Sequence, residues 1–183
     1  MNYAAEIIAS ARVKNPIFAP TVADWENSEK ELGLELPGDF KELISGVGMG
    51  RFGDSLYLRN PLAQNPEDRL DRKSLAIYAE EMAWYREVLE VGYFPEEGGV
   101  LPIGSAGASG QLFYQTIPES RRTGKLVVLH LDLYGCTSDE RPLAQFLWEL
   151  HTNVSEPSDK ITKSLKFNLW PTGKNKPLFI SRT

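Results

Sequence analysis

The sequence predicts an α+β fold in which helices pack around a central antiparallel sheet. Residues 100–104, 111–117 and 125–133 read as strands in succession, parted only by turn-rich stretches at 105–110 and 118–124, which is the pattern of an antiparallel meander. Phe40, Leu43, Ile44 and Val47, and later Leu143, Phe146, Leu147 and Leu150, recur at three- and four-residue spacing, so each set marks the apolar face of a helix. The 183 residues, 42% hydrophobic and 25% charged, match an ordinary globular domain with enough chain to bury a core.

Taken in order, residues 3–13 form a short helix that Asn15-Pro16 ends, and a linker follows through Pro20. Thr21 is the N-cap of a second helix, and Gly33 stops it, because glycine tolerates the left-handed conformation just past a helix end. Trp25 near its start reads as a core anchor. Pro37 opens a third helix, where a missing N–H costs nothing, and Asp39 suits the positive end of that helix dipole. Gly46, Gly48 and Gly50 end it, residues 55–59 form a strand, and residues 60–69 form a loop.

Residues 70–91 read as one long helix whose stripe of Ile77, Tyr78, Met82, Tyr85, Val88 and Leu89 faces the core, with Gly92 as its end. Trp84 lies off that stripe and is expected at the surface. Residues 93–99 are a loop bearing Glu96 and Glu97. In the strand at 125–133 the run Leu126–Val127–Val128–Leu129 is apolar on both faces, which places it inside the sheet. Residues 134–141 read as a polar connection and residues 142–151 as a helix packed on the sheet. In the tail, the period-two alternation of residues 165–169 and the apolar run at 178–180 read as a hairpin, either added to the main sheet or loosely docked.

One stretch also carries a resemblance. ELGLELPGDFKELISGVGMGRFGD resembles the start of the SMI1/KNR4 (SUKH) domain, a run E-x-x-L-G-x-x-L-P-x-D-[FY]-K-x-[FL]-[IL] followed by a glycine turn into a strand. The matching residues are Glu29, Leu32, Gly33, Leu36, Pro37, Asp39, Phe40, Lys41, Leu43, Ile44, Gly48 and Gly50, with further similarity at Leu101-Pro102-Ile103-Gly104 and at residues 142–150. On this reading residues 1–20 are an N-terminal helix and linker, residues 21–153 the SUKH-like domain, and residues 154–183 a C-terminal extension of the same domain.

The composition narrows the function classes. A net charge of −5 argues against a nucleic-acid binder, which needs a basic stripe, and suits a basic protein partner. With two histidines and one cysteine the chain cannot supply a Cys/His zinc site without carboxylates. Neither a signal peptide nor a membrane span is read, so the cytoplasm is the expected location. The run Gly104–Gly110 is followed by strand-like residues rather than by a helix with Gly-Lys-Ser/Thr, so it reads as a strand connection and not as a phosphate cradle. His130 and Asp132, two apart on an expected strand, share a face and make the one pair suited to base or metal chemistry; the plainer reading is a structural pair. Cys136 has acidic neighbours in Asp132, Asp139 and Glu140, which oppose a reactive thiolate.

The resemblance implies a protein-binding domain without catalytic residues, and no cofactor or metal is expected. In bacteria such domains are implied to be immunity proteins that neutralise a cognate polymorphic or contact-dependent toxin. In fungi they resemble regulatory scaffolds of cell-wall synthesis and signalling. A small-molecule binder or hydrolase working from the His130 and Asp132 face is the remaining alternative. Exposure and charge nominate Trp84, Glu96, Glu97, Asp139 and Glu140 as partner-facing residues.

Overall fold

The computed structural model describes residues 1–107, 110–152, 160–169 and 179–181. Three helices come first: α1 (Tyr3–Ala11), α2 (Val22–Leu32) and α3 (Gly38–Val47). Thr21 caps α2 through a full capping box with Asp24, and Gly33 ends it at φ 71°, as the residue types require. The polar residues of the family-like run staple α2 to α3. Glu29 Oε1 accepts from the Leu36 N–H at 2.8 Å and from Lys41 Nζ at 2.7 Å. Trp25 is buried, and its indole N–H donates to Ser45 Oγ at 2.8 Å.

The sheet has seven strands in the order β6-β5-β4-β3-β2-β1-β7. They are β1 (Gly50–Phe52), β2 (Leu56–Leu58), β3 (Val100–Ala106), β4 (Gly110–Ile117), β5 (Arg122–His130), β6 (Gly135–Asp139) and β7 (Phe179–Ser181). Every pairing is antiparallel. The first six strands follow one another as a meander, and β7 returns to the outer edge of β1. Gly50 sits at that edge because a side chain there would strike the Phe179 ring; Phe179 packs edge-on to Phe52 at 4.9 Å.

Helices cover both faces of the sheet. Leu112 and Tyr114 of β4 and Leu126 and Val128 of β5 point into a main core with α1, α3 and α6 (Leu143–Thr152). Phe113, Val127 and Leu129, one residue out of phase, point into a smaller core on the opposite face. Strand alternation sends successive side chains to opposite faces, which explains why the interior strands are apolar throughout. The smaller core is roofed by α4 (Arg72–Glu81) and α5 (Arg86–Leu89).

Four expectations change. The helix expected over residues 70–91 is broken into α4, a 3₁₀ turn at Ala83–Tyr85, and α5. At the break the Trp84 indole N–H donates to the Glu81 carbonyl and the Tyr93 hydroxyl donates to the Met82 carbonyl, each at 2.8 Å. Side chains thus take up carbonyls at the point where the ladder tightens to Tyr85 N–H donating to Met82 O. The connection at 134–141 contains the edge strand β6, whose sequence Gly-Cys-Thr-Ser-Asp has no apolar alternation to reveal it. Gly50, read as a helix stop, instead opens β1 with Arg51 and Phe52.

The tail is not a hairpin, because residues 165–169 lie in α7 (Lys160–Leu169). Ile161, Leu165 and Leu169 are four apart, a helical spacing that five residues of alternation concealed. The apolar run at 178–180 does contain a strand, β7, but it pairs with β1; Leu178 lies outside the described residues. The glycine-rich run joins β3 to β4 as expected, and its residues 108–109 lie outside the described residues.

Candidate functional site

The break between α4 and α5 pushes large apolar surface outward. Trp84 is 74% exposed, and its ring is held by the bond to Glu81 O. Tyr85 lies 5.9 Å from Trp84 and 5.7 Å from Tyr134, ring centre to ring centre. Tyr134 comes from the turn between β5 and β6, where φ 46° turns the chain sharply, and is 59% exposed. The three rings form one aromatic surface built from two distant segments. Glu80, Glu81 and Glu87 are exposed on the same short helices, Glu90 is exposed just past α5, and Asp132 is exposed two residues before Tyr134. Large aromatics in an acidic setting offer apolar contact and steering for a basic partner.

The nominated residues do not form a single surface. Trp84 stands at the aromatic cluster. Glu96 is joined to it indirectly, through a two-pronged ion pair with Arg86 at the start of α5. Glu97 is exposed but borders a different cleft, with Leu34 and Arg121. Asp139 and Glu140 lie at the other end of β6 from Tyr134. The Asp139 carboxylate is held by Arg141 at 2.5 Å, and the same guanidinium reaches Glu149 at 2.6 Å. Sequence reasoning missed Tyr134 and Tyr85. The Tyr134-Gly135 pair in a polar stretch was the available signal, since a tyrosine in a turn has little core to enter.

The histidine pair does not form as expected. β5 ends at His130, so Asp132 falls in the turn over residues 131–134, and strand alternation no longer puts the two on one face. His130 is buried; its Nδ1 accepts from the Leu133 N–H at 3.3 Å, and its Nε2 lies 2.6 Å from Ser164 Oγ of α7. With Nδ1 accepting, the ring proton is on Nε2 and is donated to the serine oxygen. That is the reverse of what a base needs in order to activate a hydroxyl. The contact fastens α7 to the sheet.

Cys136 is also tied inward, its thiol donating to the Val88 carbonyl at 3.1 Å. Burial, then the charge of Glu90, raises its pKa, so the thiolate is disfavoured. Among the described residues no group of three or more His, Cys, Asp or Glu side chains is placed to hold a metal ion. No helix among them is long and apolar enough to cross a membrane.

A family model described as SMI1-KNR4 cell-wall matches residues 23–141. The match runs from α2 through β6 and includes Trp84, Tyr85 and Tyr134. No curated protein and no solved structure matches the chain.

Proposed function

From the premise that this chain belongs to the SMI1/KNR4 (SUKH) family, we propose that it is a non-catalytic immunity protein that binds and neutralises a cognate toxin through the Trp84–Tyr85–Tyr134 surface. One observation carries the choice of face: a tryptophan and a tyrosine, 74% and 59% exposed, joined by tilted contacts through a third ring. Such aromatics cost little entropy to immobilise and dominate interface energetics. The surrounding glutamates and the net charge of −5 favour a basic partner, the character of a nuclease that must bind a polyanion. Inhibition follows from occlusion and charge masking and needs no chemistry from the immunity protein.

The test is affinity capture from the source organism with wild-type and Trp84→Ala baits, followed by co-expression. A basic protein retained by the wild type only, lethal alone and harmless when co-expressed with the chain, supports the proposal. Capture of signalling or envelope-synthesis proteins, with no toxicity to relieve, replaces it with the regulatory-scaffold reading.

A further inference from the structure

A second site lies apart from the aromatic surface. A cleft of about 250 Å³ opens between α4 and the strands β3 and β4, with Arg59 at its base. Arg59 is only 6% exposed, yet no carboxylate among the described residues ion-pairs with it. Its Nη1 donates to the carbonyls of Arg69 at 2.9 Å and Pro66 at 3.3 Å, and the guanidinium lies 5.0 Å from the Tyr78 ring centre. Those bonds anchor residues 60–69 and use one nitrogen. Nε and Nη2 retain their donors.

Two neighbours are in the same condition. Gln111, 8% exposed, accepts from the Tyr78 hydroxyl at 3.0 Å through Oε1, so its Nε2 faces the cleft with both protons to give. Ser74, 6% exposed, gives its backbone N–H to Asp71 Oδ1 at 2.8 Å, which leaves its hydroxyl unspent. Neither the Arg59 and Gln111 nitrogens nor the Ser74 hydroxyl is among the fully enclosed polar atoms that lack a partner, so all of them border the open space. Three mostly buried side chains therefore bring unspent donors to one cleft. Leaving such groups unpaired is costly, and a guanidinium fork is shaped for an oxyanion.

We propose that this cleft binds a monocarboxylate carried on a small apolar body. The carboxylate meets Arg59, Gln111 and Ser74, and the body lies against Tyr78, Ile77 and Met82. Glu67 and Glu81 at the rim set the charge limit, because they repel a dianionic phosphate more than a single carboxylate. Burial lowers the pKa of the Arg59 guanidinium, and Tyr78 first, then Asp68, Asp71 and Glu67, only partly offset this. A bound carboxylate supplies a counter-charge in direct contact, where Asp68, Asp71 and Glu67 act only through space.

The experiment titrates the full chain with benzoate, benzamide and inorganic phosphate, following the Arg59 Nε–H and Gln111 side-chain amide signals by NMR. Saturable benzoate shifts at both signals are expected, with benzamide and phosphate at least about tenfold weaker, since only benzoate offers a single charged fork to the guanidinium. Gln111→Glu, which places a carboxylate in the cleft itself, is expected to abolish the benzoate shifts. Arg59→Lys, which keeps the charge and loses the fork, is expected to weaken them about tenfold. No saturable shift in the wild type, or benzamide or phosphate binding as tightly as benzoate, overturns the proposal whether or not a variant folds.

Discussion

The Asp39 carboxylate accepts a 2.9 Å hydrogen bond from the backbone N–H of Ala144, 105 positions away. Asp39 lies in the first turn of α3, and Ala144 in the first turn of α6. One carboxylate thus serves the positive ends of two helices, and its direct bond is to the more distant one. First-turn N–H groups have no partner within their own helix, so this bond is a cap supplied from elsewhere in the fold. Asp39→Ala is expected to cost about 1–2 kcal/mol, the range for losing a side-chain cap. Asp39→Asn, which keeps the acceptor oxygen, should recover most of that. Urea unfolding of the two variants beside wild type decides it; equal losses would mean that charge and not the hydrogen bond matters.

Tyr114 makes the opposite case. It is 2% exposed, packs edge-on to Phe40, and its hydroxyl has no hydrogen-bond partner. Burial, then the nearby charge of Asp39, raises the phenol pKa well above its ordinary value of 10.0, so the group stays neutral. An unpaired buried hydroxyl has lost its water without compensation. Tyr114→Phe should therefore be neutral or stabilising by up to about 1 kcal/mol. A clear loss of thermal stability would mean that the hydroxyl holds an ordered water that the fold needs.

The Asp139–Arg141–Glu149 cluster gives a pH-dependent signature. For Asp139, burial alone pushes the carboxyl up, but hydrogen bonds and charge from Arg141 outweigh it and hold the pKa below the ordinary 3.8. Glu149 is held below 4.5 by its bond from Gln145, with Arg141 adding to the effect against burial. Folded values below unfolded ones mean that the stabilisation is complete above the unfolded values and is lost as pH falls through the folded ones. Arg141→Met is expected to cost about 1 kcal/mol near neutral pH, in keeping with a partly exposed network. On acidification below about pH 4 the gap to wild type should narrow. A small remainder, independent of pH, should persist because Arg141 also lies 5.4 Å from the Phe146 ring centre. A gap that stayed constant with pH would remove the ion pairs from the account.

The legible parts of the fold were those where one kind of residue has one use. Gly33 ends a helix, Thr21 starts one, and Phe40, Leu43, Ile44 and Val47 leave no choice of face. Glu29 and Lys41 were legible only as motif letters; in the fold they pair across α2 and α3. Three features were hidden because their cause lies far off in the sequence. The end of α4 is shaped in part by Tyr93, eleven residues beyond Met82. The strand character of β6 comes from β5, to which its polar residues pair. The cleft at Arg59 needs β4 and α4 to bring Gln111 and Ser74 to it. The aromatic surface was half legible: Trp84 by its position off the stripe, Tyr134 only through a tyrosine-glycine pair in a polar stretch that reads first as a plain connection.

That surface yields the prediction most directly tied to function. Trp84 makes one side-chain hydrogen bond, to Glu81 O, and meets Tyr85 at a tilt; most of its area faces solvent. Trp84→Ala and Tyr134→Ala should each leave the unfolding midpoint nearly unchanged, within about 0.5 kcal/mol, as befits exposed positions. Each should weaken the protein partner by about 30-fold or more, the loss expected when an interface anchor worth about 2 kcal/mol is truncated. Glu97→Ala and Glu140→Ala, which lie away from the rings, should change affinity little and serve as controls. If the aromatic variants bind as wild type does while a control does not, the docking face lies at that control, the cleft beside Leu34 for Glu97 or the far end of β6 for Glu140, and the role assigned to the rings fails.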